Sequence, residues 1–190
     1  MIRIRIHGRG GQGGKTAAEL LAIVIFKEGS FEKVQAAPTF GPERRGAPVS
    51  AFVRISHEDI RERGAILNPD MVIVLDESLA LTTNIADGLK EGGLILINSS
   101  KNFEAFPTLA KFDLALVDAD TIALRYGLGS SRAPIVNTAI LGAFFKASGL
   151  AALQTLLNII GQEPKKPEEN KRSATEAFDS VKIKKINREE

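Results

Sequence analysis

The chain has 190 residues, 44% of them apolar and 25% charged, and a formal net charge of +2. That is enough chain for one domain with a proper core, and the near-neutral balance does not call for nucleic acid. With no cysteine, disulfides, thiolate zinc sites and cysteine-ligated iron–sulfur clusters within this chain are excluded. No basic-then-apolar leader opens the sequence and no apolar run approaches membrane-spanning length, so a cytoplasmic protein with no membrane partner is expected.

Ile2 to Ile6 alternates apolar and charged residues, the period of a strand with one buried face. Gly8, Arg9, Gly10, Gly11, Gln12 and Gly13 follow, and Thr16 to Phe26 repeats apolar residues at helical spacing. A strand that feeds a glycine turn into a helix leaves several amide N–H groups unpaired at the helix start. With the helix dipole they make a seat for an anion, and the glycines let it approach the backbone. Phe31 to Ala37 is expected as a short strand. Pro38 to Pro48 contains three prolines and two glycines and reads as a shaped loop carrying the adjacent guanidinium groups of Arg44 and Arg45. Val49 to Ser56 resumes strand alternation, and His57 to Arg63 reads as a surface turn or short helix.

Met71 to Leu75, Leu94 to Ile97 and Leu114 to Val117 are apolar runs of the kind buried on both faces of a sheet. Helices are expected at Leu79–Lys90, closed by Gly92 and Gly93, and at Thr121–Tyr126. Asn137 and Thr138 can cap a helix reaching Ala147, and Leu150 to Ile160 reads as another. Gln162 to Asn170 reads as a linker, Lys171 to Val181 as an amphipathic helix, and Lys182 to Glu190 as a fraying charged tail. The expected fold is α/β and three-layered: a mainly parallel or mixed sheet flanked by helices, with a C-terminal helical arm. Residues 1–161 form the α/β domain, and residues 162–190 the linker, helix and tail. Ligands on such sheets sit beyond the carboxyl ends of the strands, where the glycine loop, Asp76, Asn98 and Asp118 would gather.

Two nucleotide readings can be weighed on spacing. Gly8 to Gly13 satisfies GxGxxG, but the second strand ends at Ala36-Ala37 without the carboxylate that would hold a ribose. Gly13-Gly14-Lys15-Thr16 resembles the end of a P-loop, but Arg9 occupies the place of its first glycine. A hydrolase with a degenerate P-loop, or an α/β structural protein with an empty glycine loop, stand as alternatives. Bland readings compete at single residues too. Asp76, Asp118 and Asp120 suit helix caps, His7 continues the strand register, and Arg44 and Arg45 can brace their own loop through Glu43.

A third reading joins three pieces: Gly8-Arg9-Gly10-Gly11-Gln12-Gly13, then Thr39-Phe40-Gly41-Pro42-Glu43-Arg44-Arg45-Gly46-Ala47-Pro48, then Asn137-Thr138 with Leu141-Gly142-Ala143. In this order and spacing the chain resembles the gamma subunit of 2-oxoacid:ferredoxin oxidoreductases of the pyruvate synthase type, over nearly its whole length. The resemblance implies an enzyme complex that makes acyl-CoA and carbon dioxide from a 2-oxoacid and coenzyme A, with ferredoxin as acceptor. It implies alpha, beta and delta (ferredoxin-like) partner subunits that carry thiamine diphosphate, magnesium and [4Fe-4S] clusters. It leaves this chain no catalytic residue and no metal. The Gly8–Gly13 loop with Thr39, Phe40, Glu43, Arg44, Arg45, Asn137 and Thr138 would then hold coenzyme A phosphates or a neighbouring subunit.

Overall fold

The computed structural model describes residues 1–38, 46–162 and 165–186. Strand β1 (Ile2–Arg9) is followed by helix α1 (Gly14–Glu28), then by β2 (Lys33–Pro38) and β3 (Pro48–Ser56). β4 (Met71–Val74), α2 (Glu77–Thr82), β5 (Leu94–Asn98), β6 (Asp113–Val117) and α3 (Ala119–Arg125) form the second half of the sheet and its links. A two-residue hairpin, β7 (Gly129–Ser130) and β8 (Ala133–Pro134), leads into α4 (Asn137–Ser148). The chain closes with α5 (Leu153–Ile160), α6 (Pro167–Ser180) and β9 (Lys182–Lys184).

The seven-stranded sheet has the order β2-β3-β1-β4-β5-β6-β9. β1, β4, β5 and β6 are parallel, while β2, β3 and β9 enter antiparallel, so the sheet is mixed. The apolar runs place alternate residues on opposite faces, as pleating requires. Ile73, Leu96 and Ala115 pack with α1, α3, α4, α5 and α6. Val72, Val74, Ile95, Ile97, Leu114 and Leu116 pack on the other face with Leu79, Ile85, Leu89 and Phe106. Both faces are covered, which gives the three expected layers.

Four of the departures from the expected boundaries have a clear physical reason. β1 runs through Gly8 and Arg9 because Val49 and Pro48 of β3 pair with them, so the free glycine turn shortens to Gly10–Gly13. The helix expected over Leu79–Lys90 stops at Thr82. Beyond it the Ile85 and Asp87 carbonyls accept from the buried Arg5 guanidinium, at 3.0 and 2.6 Å, instead of from a helical amide. α6 begins at Pro167 rather than Lys171, with proline in its first turn beside Glu168 and Glu169, a placement that suits both residue types. Lys182 to Lys184, expected to fray, instead pairs with Leu114–Leu116 as an edge strand, and residues 187–190 lie outside the described residues.

Candidate functional site

The parallel register of β1 on β4 sets His7 beside Val74, which carries Arg9 to the level of Asp76 at the carboxyl end of the sheet. There the chain turns through Gly11 (φ 92°) and Gly13 (φ 81°) into α1. Those positive angles are available to glycine at little steric cost. A side chain at Gly13 would also meet Asn137, whose Oδ1 lies 2.5 Å from where a Cβ would stand. The first backbone bond of α1 runs from Ala17 N to Gly13 O at 2.9 Å. Among the described residues no acceptor meets the amides of Gly14, Lys15 and Thr16, as expected for the opening turn of a helix.

The glycine turn is tied to the stem of the arginine loop. Gly10 N donates to Ala47 O at 2.9 Å and Gly46 N donates back to Gly10 O at 3.0 Å. Thr39, Phe40, Glu43, Arg44 and Arg45 lie outside the described residues, but the chain re-enters at residue 46 directly against the glycine turn.

Arg9 and Gln12, expected to meet a ligand or partner, are engaged inside the chain. Arg9 Nε donates to Asp76 Oδ2 at 3.0 Å, one terminal nitrogen to Ser78 Oγ at 2.8 Å and the other to Gly46 O at 3.1 Å. Gln12 Oε1 accepts from Arg9 N at 2.7 Å, and its Nε2 donates to the same Asp76 Oδ2 at 3.0 Å. Asp76 caps α2 with its other oxygen, through Ser78 N at 2.9 Å, so the helix-cap reading of this residue holds and is incomplete. Burial alone would raise the Asp76 pKa, but the donors of Ser78, Gln12 and Arg9 outweigh it and hold the carboxyl below its ordinary value.

Asp118 caps α3 through Thr121 N at 3.0 Å. Asp120 accepts from Asn98 Nδ2 at 3.0 Å; burial and the nearby Asp118, Asp76 and Glu77 push its pKa up. Asn98 also donates to Leu75 O and accepts from Ala119 N, so it knits the ends of β4, β5 and β6 together. Among the described residues no group of three or more acidic, histidine or cysteine side chains is placed to hold a metal. No described helix is long and apolar enough to cross a membrane.

Asn137 and Thr138 open α4 but do not cap it as expected, since the residue before the helix is Val136 and no side chain bonds the first turn. Asn137 instead lies over Gly13, its Oδ1 buried without a partner, while Thr138 Oγ1 donates to Asn170 Oδ1 at 2.9 Å. Between α1 and α4 a cleft of about 730 Å³ opens, lined by Thr16, Leu20, Ile23, Ile135, Asn137 and Lys166 among others. Of the expected site residues, the structure therefore gathers the glycine loop, Asn137 and Thr138 at one edge. Asp76 joins them at the carboxyl end of the sheet as expected, and Ser78 is added to it in anchoring the loop. The Arg9–Asp76 pairing depends on strand register, which no local spacing in the sequence encodes.

Residues 3–180 match the family described as pyruvate ferredoxin/flavodoxin oxidoreductase. The chain belongs to that family. It is 48% identical over 188 residues to the "Pyruvate/ketoisovalerate oxidoreductases common subunit gamma" of Thermococcus kodakarensis, covering 96% of this chain and 98% of that one. The solved structure of pyruvate oxidoreductase subunit PORC from Thermotoga maritima is similar with a TM-score of 0.80 and 36% identity, over 96% of this chain and 97% of that one. The fold also recurs in 2-oxoglutarate:ferredoxin oxidoreductase from Magnetococcus marinus, solved with 2-oxoglutarate, coenzyme A and succinyl-CoA bound. That likeness has a TM-score of 0.66 at 20% identity, over 94% of this chain and 30% of that one. The chain is thus a gamma subunit of the 2-oxoacid:ferredoxin oxidoreductases, part of an enzyme complex. Neither the hydrolase nor the structural-protein alternative finds support.

Proposed function

We propose that this gamma subunit serves a complex that oxidises pyruvate, or a related branched 2-oxoacid, in the presence of coenzyme A. The observation that carries this is end-to-end similarity to a subunit shared by pyruvate and ketoisovalerate oxidoreductases. The overall step consumes the 2-oxoacid and the CoA thiol and releases acyl-CoA, carbon dioxide, one proton and two electrons, which ferredoxin takes up singly. Thiamine diphosphate, with magnesium, would supply the carbanion chemistry when bound. The fit of these groups to this chain is poor. It has no cysteine for a [4Fe-4S] cluster, and its described residues offer no acidic cluster for a metal. Alpha, beta and ferredoxin-like delta subunits hold them, and the gamma subunit is inactive alone.

Its own contribution is the glycine loop with the arginine loop that re-enters beside it. Unpaired amides at the start of α1 suit a phosphate, and the guanidinium forks of Arg44 and Arg45 pair with the same group. The cleft between α1 and α4 is within the usual size range of small-molecule sites and lies next to the loop. The site therefore receives the CoA phosphates at the subunit junction.

Purification of the chain from native anaerobic extract with its partners, followed by CoA-dependent pyruvate oxidation, tests the assembly. The complex turns over and the isolated chain does not; turnover by the isolated chain would sink the proposal. Arg45→Ala in the complex is expected to raise the Michaelis constant for CoA about tenfold, the value of one charge-assisted contact, with the constant for pyruvate unchanged.

A further inference from the structure

We propose that Asp76 is a positioning residue: through Arg9 and Gln12 it holds the glycine loop in the shape that accepts an anion. The inference rests on the reading of that loop as the coenzyme A phosphate site, and it assigns the loop's order to a residue 67 positions away, at the start of α2.

The geometry closes a ring. Arg9 N reaches Gln12 Oε1, Gln12 Nε2 reaches Asp76 Oδ2, and Asp76 Oδ2 is met again by Arg9 Nε. Ser78 fixes the second carboxylate oxygen through its backbone N at 2.9 Å and its hydroxyl at 2.5 Å. That hydroxyl also accepts from Arg9. The carboxylate is thus held on both sides, and the ring spans the three residues between the end of β1 and Gly13. Arg9 and Asp76 are 32% and 21% exposed in their side chains, too shielded for the pair to be a solvated surface bridge.

Two consequences follow for a ligand. Each nitrogen of the Arg9 guanidinium already has a partner within the chain, so the loop offers backbone amides rather than this charge. A glycine turn has many accessible backbone states, and the staple removes them before a ligand arrives, which lowers the ordering cost of binding. Without it Gly10, Gly11 and Gly13 would sample shapes that no longer converge on one anion.

Two variants of the assembled complex separate geometry from charge. Gln12→Met leaves every charge and the α2 cap intact while cutting the staple; Asp76→Asn removes the anchor. Each is expected to raise the Michaelis constant for CoA about tenfold, as for loss of one charge-assisted hydrogen bond. The constant for pyruvate and the turnover number should stay within about twofold. Hydrogen–deuterium exchange at residues 10–16 should quicken in both, a change that a remote packing defect would not confine to the loop. CoA constants unchanged in both variants, while Arg45→Ala still raises its own, would overturn the positioning role and leave the site standing. An unchanged constant in all three variants would remove the loop from CoA binding and the positioning role with it. Should the Asp76→Asn complex not assemble, Gln12→Met decides alone.

Discussion

Gly142→Ala is expected to destabilise the folded chain by about 3 kcal/mol, at the upper end of the cost of overpacking. α4 and α6 touch through small residues: Ala174 and Ala177 are fully buried, as is Ser173, and the Gly142 backbone lies directly against α6. A methyl group at residue 142 would stand 2.1 Å from the Ala174 carbonyl oxygen and 2.8 Å from its carbon. Both belong to main chain, so no rotamer change relieves the clash and the helices must separate. The buried residues of α6 are those three alone, and its other ties are half-exposed polar contacts such as Tyr126 with Glu176 and Thr138 with Asn170. Urea unfolding of the variant should show a midpoint lowered by roughly 1.5 M, from the usual slope for a chain of this size. Gly149→Ala serves as the control: nothing lies within 4 Å of its added Cβ, so only the strain of its positive φ is felt. A Gly142→Ala midpoint no lower than that of the control would refute the close-packing account.

Acid sensitivity traced to His7 is the second large effect. His7 sits in β1 one residue before Gly8; its Nε2 accepts from Arg5 Nε at 3.0 Å, and its Nδ1 lies 3.5 Å from Ser50 Oγ. Burial first, and the adjacent guanidinium second, lower its pKa from 6.5 to about 4. Between those values the unfolded chain takes up a proton and the folded chain does not, so stability falls as the pH drops from 6.5 towards 4. Above 6.5 the contribution is fully present, and below about 4 it changes no further. The linkage amounts to about 3 kcal/mol across the window. His7→Gln retains an acceptor for Arg5 without the titration. The difference between wild-type and His7→Gln unfolding free energies should therefore shift by about that amount between pH 7 and pH 4. Carboxylates such as Asp76 and Asp120 titrate in both proteins and cancel in the difference. Parallel pH profiles for the two proteins would show that His7 takes up its proton as readily in the folded chain as in the unfolded one, and would refute the shift.

The parts of this fold that were legible in the sequence are those where local pattern and burial agree. Met71 to Leu75, Leu94 to Ile97 and Leu114 to Val117 are apolar throughout, and the structure buries both faces of each. The glycine turn into α1 was legible because only that residue type tolerates its angles next to Asn137. The C-terminal half of the expected Leu79–Lys90 helix failed for a tertiary reason, since its apolar spacing is real but its carbonyls serve Arg5 of β1. The start of α6 was misread although the signal was local, for Pro167 opens the helix in a position where proline belongs. The site divides the same way. Its glycines and the opening of α4 could be read in order along the chain. The turning inward of Arg9 and Gln12 could not: Asp76 is expected at their end of the sheet, but its pairing with them follows from the exact register of β1 on β4 and from side-chain geometry.

The placement of β9 bears on how the molecule comes apart. The strand that shields the edge of β6 follows directly on α6, and α6 is seated chiefly through the glycine-sized gap in α4. Loosening that one helix would peel away the edge strand with it and bare an unpaired, apolar β6, a template for aggregation. The shelf life of the purified subunit is then a kinetic property, governed by the rate at which its last helix lifts off.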